Sequence, residues 1–189
     1  MKLEHWFPTI ISYSDWQGEC QTIVDHCYDL QKTTDQGGDN WISTVYNTHN
    51  TYNIIKDEKF KKINNWALEQ ANLYSKEIGS NDKLYHQNAW FNIYKKKDFQ
   101  EYHTHPGSTL SGIFVLKADP KKDAKTIFES DGLENNDDLR SEVTHKLVYY
   151  PPTPGRLLLF RSSLRHCVEQ SNSDADRISL AYNFGRITE

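Results

Sequence analysis

Apolar positions along the 189-residue chain follow two different periods. In the first part Trp16, Cys20, Ile23, Val24, Cys27 and Leu30 recur every three to four residues, the spacing that gathers side chains on one face of a helix. Ser14 stands where it could cap that helix, and the polar, glycine-containing stretch 33–40 would end it. A clearer helix follows Asp57, with Phe60, Ile63, Trp66, Ala67, Ala71, Tyr74 and Ile78 on one face and Gly79 as its stop. Both predicted helices are amphipathic, so each must bury its apolar stripe against something larger.

From Leu84 onward the pattern changes to aromatic and β-branched runs separated by turn residues, which is the strand signature. The predicted strands are 85–94, 99–105, 109–117, 125–129, 146–150, 156–161, 166–169 and 177–184. Pro154-Gly155 makes a turn ahead of Leu157-Leu158-Leu159-Phe160, which reads as a buried strand. Eight short strands behind two helices predict a mainly β fold: a double-stranded β-helix, the cupin-like jelly roll that encloses a pocket, with two supporting α-helices. The expected organisation is one domain over 1–189, with a helical support region at 1–83 and the double-stranded β-helix core at 84–189. A chain of this size buries about 70 per cent of its unfolded surface, so no disulfide or structural metal is needed for folding. No internal repeat is evident, and the one biased tract, the acidic stretch 130–142, reads as a loop that is either mobile or able to close over a site.

Charge narrows the partners. Lys and Arg number 22 against 26 Asp and Glu, for a net charge of −4, and the basic residues are scattered apart from Lys95-Lys96-Lys97 and Lys121-Lys122. Nucleic acid is therefore not an expected partner, and the triple lysine reads as a solvated turn. Cys20 and Cys27 lie on successive turns of one predicted helix face, far in sequence from Cys167, which makes no disulfide framework and fits a reduced, cytoplasmic protein. No window approaches 18 apolar residues and the N-terminus lacks the flanks of a secretion signal, so neither a membrane span nor a leader is expected.

Against this background the histidines separate into two groups. His5, His26, His49, His86 and His145 read as ordinary surface or hydrogen-bonded residues. His103 and His105 alternate in a predicted strand that ends at Pro106-Gly107, so their imidazoles face the same way at a strand mouth. With His166 they supply three ligands for one face of a non-haem iron, leaving adjacent coordination positions open. Arg177 adds an acid-binding element: its fork matches a carboxylate in a bidentate manner, and Ser179, two residues along, faces the same side. Trp90 and Tyr102 are candidates to line the cavity.

Four segments together resemble a known family: Ala89-Trp90-Phe91-Asn92-Ile93-Tyr94, the run from His103 through His105-Pro106-Gly107 to Gly112, Pro154-Gly155-Arg156 with its apolar strand, and Arg177-Ile178-Ser179-Leu180-Ala181-Tyr182-Asn183-Phe184. Over about half its length the chain looks like the small iron(II)- and 2-oxoglutarate-dependent oxygenases of the prolyl 4-hydroxylase-like superfamily, in particular bacterial and bacteriophage members. The resemblance implies an enzyme, a dioxygenase and most simply a hydroxylase, that uses Fe(II), 2-oxoglutarate and dioxygen and couples decarboxylation to succinate with oxidation of a C–H bond. It implies His103 and His166 as metal ligands. It also implies Arg177, with Ser179 beside it and Tyr94 nearby, as the group that binds the distal carboxylate of 2-oxoglutarate.

One position departs from the family pattern: the expected aspartate of its His-x-Asp motif is His105. Two registers follow. Either His103, His105 and His166 form a three-histidine triad, or Gly107 follows His105 as the vacant position of a His-x-Gly arrangement like that of halogenase relatives. Two other functions stay open: a three-histidine cupin-type dioxygenase that does not use 2-oxoglutarate, and a non-catalytic jelly-roll binding module that holds a metal. The substrate, small-molecule or peptidyl, is selected by loops such as 33–53 and 130–142, and the oligomeric state is left open.

Overall fold

The computed structural model describes residues 1–2, 8–37, 41–130 and 145–187. Two antiparallel sheets carry the architecture. The larger contains β1 (Ile11–Asp15), β2 (Tyr46–Asn47), β3 (Leu84–Tyr94), β5 (Leu110–Lys117), β8 (Arg156–Arg161) and β10 (Arg177–Arg186), in the spatial order β1-β8-β5-β10-β3-β2. The smaller contains β4 (Gln100–His103), β6 (Thr126–Glu129), β7 (Leu147–Tyr150) and β9 (Arg165–Val168), ordered β4-β9-β6-β7. This is the jelly-roll double-stranded β-helix, with α1 (Gln21–Thr33) and α2 (Lys61–Glu77) packed behind the larger sheet.

Strand alternation explains the layering. In β10, Ile178, Leu180, Tyr182 and Phe184 point to the helices, where they meet Ile23, Val24 and Cys27 of α1 and Ile63, Ala67, Ala71 and Tyr74 of α2 in the main core. In β8 the apolar run is split between the two sides: Leu157 and Leu159 join that core, whereas Leu158 and Phe160 pack with Ile113, Phe128 and Leu164 between the sheets. A strand buried on both faces is continuously apolar for this reason. Trp66 of α2 bridges Trp16 (ring centroids 5.2 Å apart) and Phe114 of β5 (5.9 Å), which ties helix, loop and sheet together.

All eight predicted strands are present, most with ends moved by a residue or two. Residues 1–83 hold more than helices, however. Ile11–Asp15 is a strand that pairs with β8, and Ser14, expected to cap the first helix, lies opposite Leu157 within it. The free edge of β8 offers a ladder of backbone hydrogen bonds, and a bidentate contact from Arg156 to Asp15 (2.7 and 2.8 Å) fixes the register. The helix therefore starts later, with Cys20 at its N-cap and the Glu19 carboxylate accepting from Thr22 N at 3.1 Å. Tyr46–Asn47 likewise adds a short strand beside β3. The second helix matches its expectation, and Gly79 follows it with φ 79°. Lys95, Lys96 and Lys97 occupy an exposed turn. Most of the acidic tract, 131–142, lies outside the described residues.

Candidate metal centre and adjoining cavity

Because β3 and β10 send apolar side chains to the helices, their alternate residues must face the interior of the barrel. The antiparallel register sets Arg177 opposite Tyr94, Ser179 opposite Asn92, Ala181 opposite Trp90 and Asn183 opposite Asn88. These eight residues, with His103, His105 and His166 from the opposing side, line a cavity of about 480 Å³, within the range of small-molecule sites.

The histidines converge. β4 and β9 place His103 directly across from His166. His105 lies beyond the end of β4 instead of within it, held by its backbone N–H to the Ser162 carbonyl at 2.8 Å. Ring centroids are 4.2 Å apart for His103 and His166, 5.0 Å for His103 and His105, and 5.1 Å for His105 and His166. One nitrogen from each of the three lies within 4.8 Å of the others, and the Nε2 atoms of His105 and His166 are 3.3 Å apart. Nitrogens bound about 2.0–2.1 Å from a common metal at right angles are separated by about 3 Å, a distance that His105 and His166 already approach and to which the third imidazole would have to close.

Two features prepare these rings as ligands. His103 Nδ1 lies 2.7 Å from the Glu101 carbonyl and His166 Nδ1 lies 3.0 Å from the Leu164 carbonyl, contacts that put the proton on Nδ1 and leave the Nε2 lone pair free. Burial lowers the pKa of all three, with the neighbouring imidazoles acting in the same direction on His105 and His166. His105 is brought down to about 3 and His166 falls well below the usual histidine range. At neutral pH the set is uncharged, the state that ligates a metal. Phe160 and Phe128 pack against His166, Trp41 meets His103 edge-on at 5.1 Å, and Trp90 stands 6.0 Å from His105.

At the other end of the cavity Arg177 is 0% exposed. Its Nη2 donates to Thr126 Oγ1 at 3.2 Å and its guanidinium lies 5.0 Å from the centre of the Tyr94 ring, but Nε and Nη1 are buried with no hydrogen-bond partner. Burial lowers the arginine pKa, opposed by Tyr94 and Asp123. The Asp123 carboxylate is turned to the Asp119 backbone N–H at 2.6 Å. A buried, still protonated guanidinium with two unmet donors fits a ligand carboxylate. The donor set at one end and the orphaned fork at the other thus suit a metal and a dicarboxylate together.

Of the residues singled out from sequence, Tyr94, His103, His105, His166, Arg177 and Ser179 all line this one cavity, as does Trp90. Tyr102 does not: alternation along β4 sends it outward, where it is partly exposed beneath the Arg165 guanidinium, 4.6 Å from its ring centre. His26 and His86 are hydrogen-bonded to Asp57 and to the Asn64 carbonyl, as ordinary histidines are. His49 is not remote, since its ring meets Trp90 at 4.6 Å and lines the cavity. Sequence reading also passed over Trp41, Asn47, Asn88, Asn92 and Asn183. The asparagines had a detectable signal, because positions 88 and 92 of β3 and 183 of β10 share the face of Trp90, Tyr94 and Arg177 by twofold alternation. Gly107, in the turn after His105, has φ 87° and no heavy atom within 4 Å of where a Cβ would stand.

The fold has solved counterparts. A prolyl-4-hydroxylase from Pseudomonas putida is similar over 95% of this chain and 94% of its own, with a TM-score of 0.65 and 14% identity. A prolyl hydroxylase from Trichoplax adhaerens, solved in complex with a hypoxia inducible factor peptide fragment, has a TM-score of 0.65 and 17% identity over 93% of this chain and 83% of its own. HygX from Streptomyces hygroscopicus, solved with nickel, 2-oxoglutarate and hygromycin B bound, has a TM-score of 0.61 and 12% identity over 94% and 83%. At such identities the likeness is one of fold. No curated protein matches the chain in sequence. No helix among the described residues is long and apolar enough to cross a membrane. The profile of the family described as "Putative 2OG-Fe(II) oxygenase" matches residues 88–183, just over half of the chain and the span that carries all three histidines and Arg177, and the chain belongs to this family of iron(II)- and 2-oxoglutarate-dependent oxygenases.

Proposed function

We propose that this oxygenase is a hydroxylase acting as one domain over residues 1–189, in which His103, His105 and His166 hold the iron and Arg177, Ser179 and Tyr94 hold the distal carboxylate of 2-oxoglutarate. The observation that carries the reading is the Arg177 guanidinium, fully buried with Nε and Nη1 unpartnered in the cavity of the three histidines. A buried charge without a partner is strongly destabilising, and a carboxylate offered to two N–H groups of the fork offsets that cost. Ser179 lies two residues along the same face and Tyr94 stands directly opposite in register, so both border the same anion.

Iron, 2-oxoglutarate and dioxygen supply the coupling of decarboxylation, to succinate and carbon dioxide, with insertion of one oxygen atom into a substrate C–H bond. The protein's part is orientation and exclusion of water. The three imidazoles would hold the metal, and the Glu101 and Leu164 carbonyls hold the rings of His103 and His166 in place through Nδ1. Phe160 and Phe128 cover His166, while Trp41 and Trp90 border the side left for substrate. The convergence of all three imidazole nitrogens within 4.8 Å supports the triad over the register that leaves a vacancy at Gly107.

The cavity volume supports a small molecule or a single peptidyl side chain as substrate. Three free thiols support a reducing compartment, the cytoplasm. Anaerobic calorimetry tests the core of the reading. Ferrous iron is expected to bind at one site, and 2-oxoglutarate to bind far more tightly after iron than before it. Failure of iron to bind, or 2-oxoglutarate affinity indifferent to iron, refutes the assignment.

A further inference from the structure

The cavity-facing row farthest from Arg177 is polar, and an irregularity in β3 builds it. β10 pairs Asn183 with Asn88 but Phe184 with His86, so Gln87 is an extra residue in β3. His86 and Ala89 both face the helices, and the bulge between them turns Asn88 to the cavity, in line with Trp90, Asn92 and Tyr94. The row continues across the sheet from Asn183 to Ser111 of β5, whose neighbour on β8 is Phe160, the ring packed on His166. Asn183 lies six residues from Arg177, about 20 Å along β10 at about 3.3 Å per residue. A five-carbon acid held by Arg177 does not extend that far, so this row belongs to the substrate's side.

Hydrogen bonds along the row run one way. Ser162 holds the His105 N–H through its carbonyl at 2.8 Å and places its Oγ 2.8 Å from Ser111 Oγ, while Ser111 donates to Asn183 Oδ1 at 2.9 Å. A hydroxyl has one proton to give, so Ser162 is the donor to Ser111, and the N–H groups of the Asn183 amide are the free end of the chain. Such a chain polarises its last donor. Asn88, directly opposite Asn183, supplies the complement, because its Oδ1 is buried without a partner. Opposed side chains on neighbouring strands are close enough to bond each other. These two do not, and a donor and an acceptor are left over side by side. The terminal torsion of an amide is broad, so rotation of the Asn88 amide aims its oxygen into the cavity that the side chain lines. Trp90, two residues along β3 and 6.0 Å from His105, sets a flat wall beside the pair, its Nε1 tied to Asn92 Oδ1 at 3.2 Å.

We infer that Asn88 and Asn183 are the recognition edge for the substrate, and that the substrate class is an amide presenting its C=O and N–H side by side, as a carboxamide or a lactam ring does. The carbonyl accepts from Asn183 and the N–H donates to Asn88. A carboxylate would set an acceptor against Asn88 Oδ1, and a ketone would leave that oxygen unmet. Sites built on such paired polar groups discriminate strongly against analogues that lack one of them. The inference rests on the oxygenase site proposed above and goes beyond it in naming the functional group of the substrate.

Two pairs of probes matched in size provide the test: 2-piperidone against cyclohexanone, and butyramide against butyrate. The full chain is loaded with nickel(II), which does not react with dioxygen as iron does, and with saturating 2-oxoglutarate, which blocks the Arg177 end. Each probe is then titrated by calorimetry. In at least one pair the amide is expected to bind about tenfold or more tightly than its counterpart, since the counterpart leaves a buried polar atom unmet. A preference in the first pair alone assigns a ring amide, and one in the second alone a carboxamide chain. Asn88→Leu, close in volume and without the acceptor, should bring the ratio close to one while nickel and 2-oxoglutarate load as before. Should Asn88→Leu fail to fold, the ratios in the unaltered protein decide alone. Ratios near one in both pairs, or an amide preference untouched in Asn88→Leu, overturn the inference and leave the proposed function standing. Failure of nickel or 2-oxoglutarate to load refutes the proposed function, and the inference falls with it.

Discussion

The two faces of the β3–β10 ribbon are built from the same two strands and both are largely removed from water, yet they follow opposite rules. Toward the helices stand Ile178, Leu180, Tyr182 and Phe184 of β10 with Ala89, Phe91 and Ile93 of β3, all in the main core. Where a polar atom reaches that side it is usually met, as when Tyr182 OH donates to Asn64 Oδ1 at 3.0 Å. The exceptions there, Trp16 Nε1 and His86 Nδ1, belong to uncharged rings, His86 being kept neutral by burial. Toward the cavity the strands present Arg177, Ser179 and Asn183 against Asn88, Asn92 and Tyr94, and here the unmet atoms include two donors of a buried guanidinium and Asn88 Oδ1. A packed face that satisfies itself serves stability. A buried face left charged and unmet is the one suited to a ligand.

This contrast can be broken in several ways. The largest effect is expected from the helix side: Phe91→Ala should cost about 3–5 kcal/mol of folding stability, read by urea denaturation, because the ring is fully buried in the main core. If that loss were under about 1 kcal/mol, the claim that this face carries the stability would be wrong. On the cavity side, His103→Ala or His166→Ala should reduce ferrous iron affinity at least a hundredfold, about 2.7 kcal/mol, with the far-ultraviolet circular dichroism unchanged. Iron affinity equal to that of the unaltered protein would remove the substituted residue from the site.

Arg177→Met separates the two faces most directly. It should weaken 2-oxoglutarate binding at least tenfold, about 1.4 kcal/mol, leave iron binding nearly intact, and cost less stability than Phe91→Ala. The substitution removes two unpartnered donors and its apolar chain has similar volume, while the buried Asp123 carboxylate loses the charge beside it. A drop in stability as large as that of Phe91→Ala would show Arg177 to be structural. The smallest effect concerns pH. Burial lowers the His105 pKa from 6.5 to about 3, so as pH falls the unfolded chain takes up that proton first. The metal-free protein should thus lose stability progressively below about pH 6.5 and down toward about pH 3. His105→Gln should lessen that dependence without abolishing it, because His103 and His166 are lowered in the same direction, and urea titrations near neutral pH and near pH 5 would detect the change; an unchanged slope would place the titration elsewhere.

The strands and the second helix were legible because each expresses a period that local geometry enforces. Leu157 to Phe160 was readable as buried, and Arg177 with Ser179 as two residues of one face, from alternation alone. The first helix shows the limit. Its apolar spacing runs back to Trp16, but the edge of β8 recruited Ile11–Asp15 as a strand, and backbone pairing with a partner 141 residues away, visible in the Arg156–Asp15 contact, has no local signature. His105 shows a second limit, since it reaches the cavity from beyond the strand end through its backbone bond to Ser162 and not by the alternation expected of it.

What the sequence determined by itself is the inventory: the two periods that select helices and strands, the His103-x-His105 departure, and an arginine with a serine on one strand face. These follow from chain-local sterics and alternation, which need no distant partner. Only the tertiary structure decided that β9 brings His166 opposite His103, that Arg177 is buried without its donors met, and that Trp41, His49, Asn88 and Asn183 share the cavity with them. Those relations depend on which strand edges pair and on what the closing of two sheets removes from water, and both are set by contacts between residues far apart in the chain.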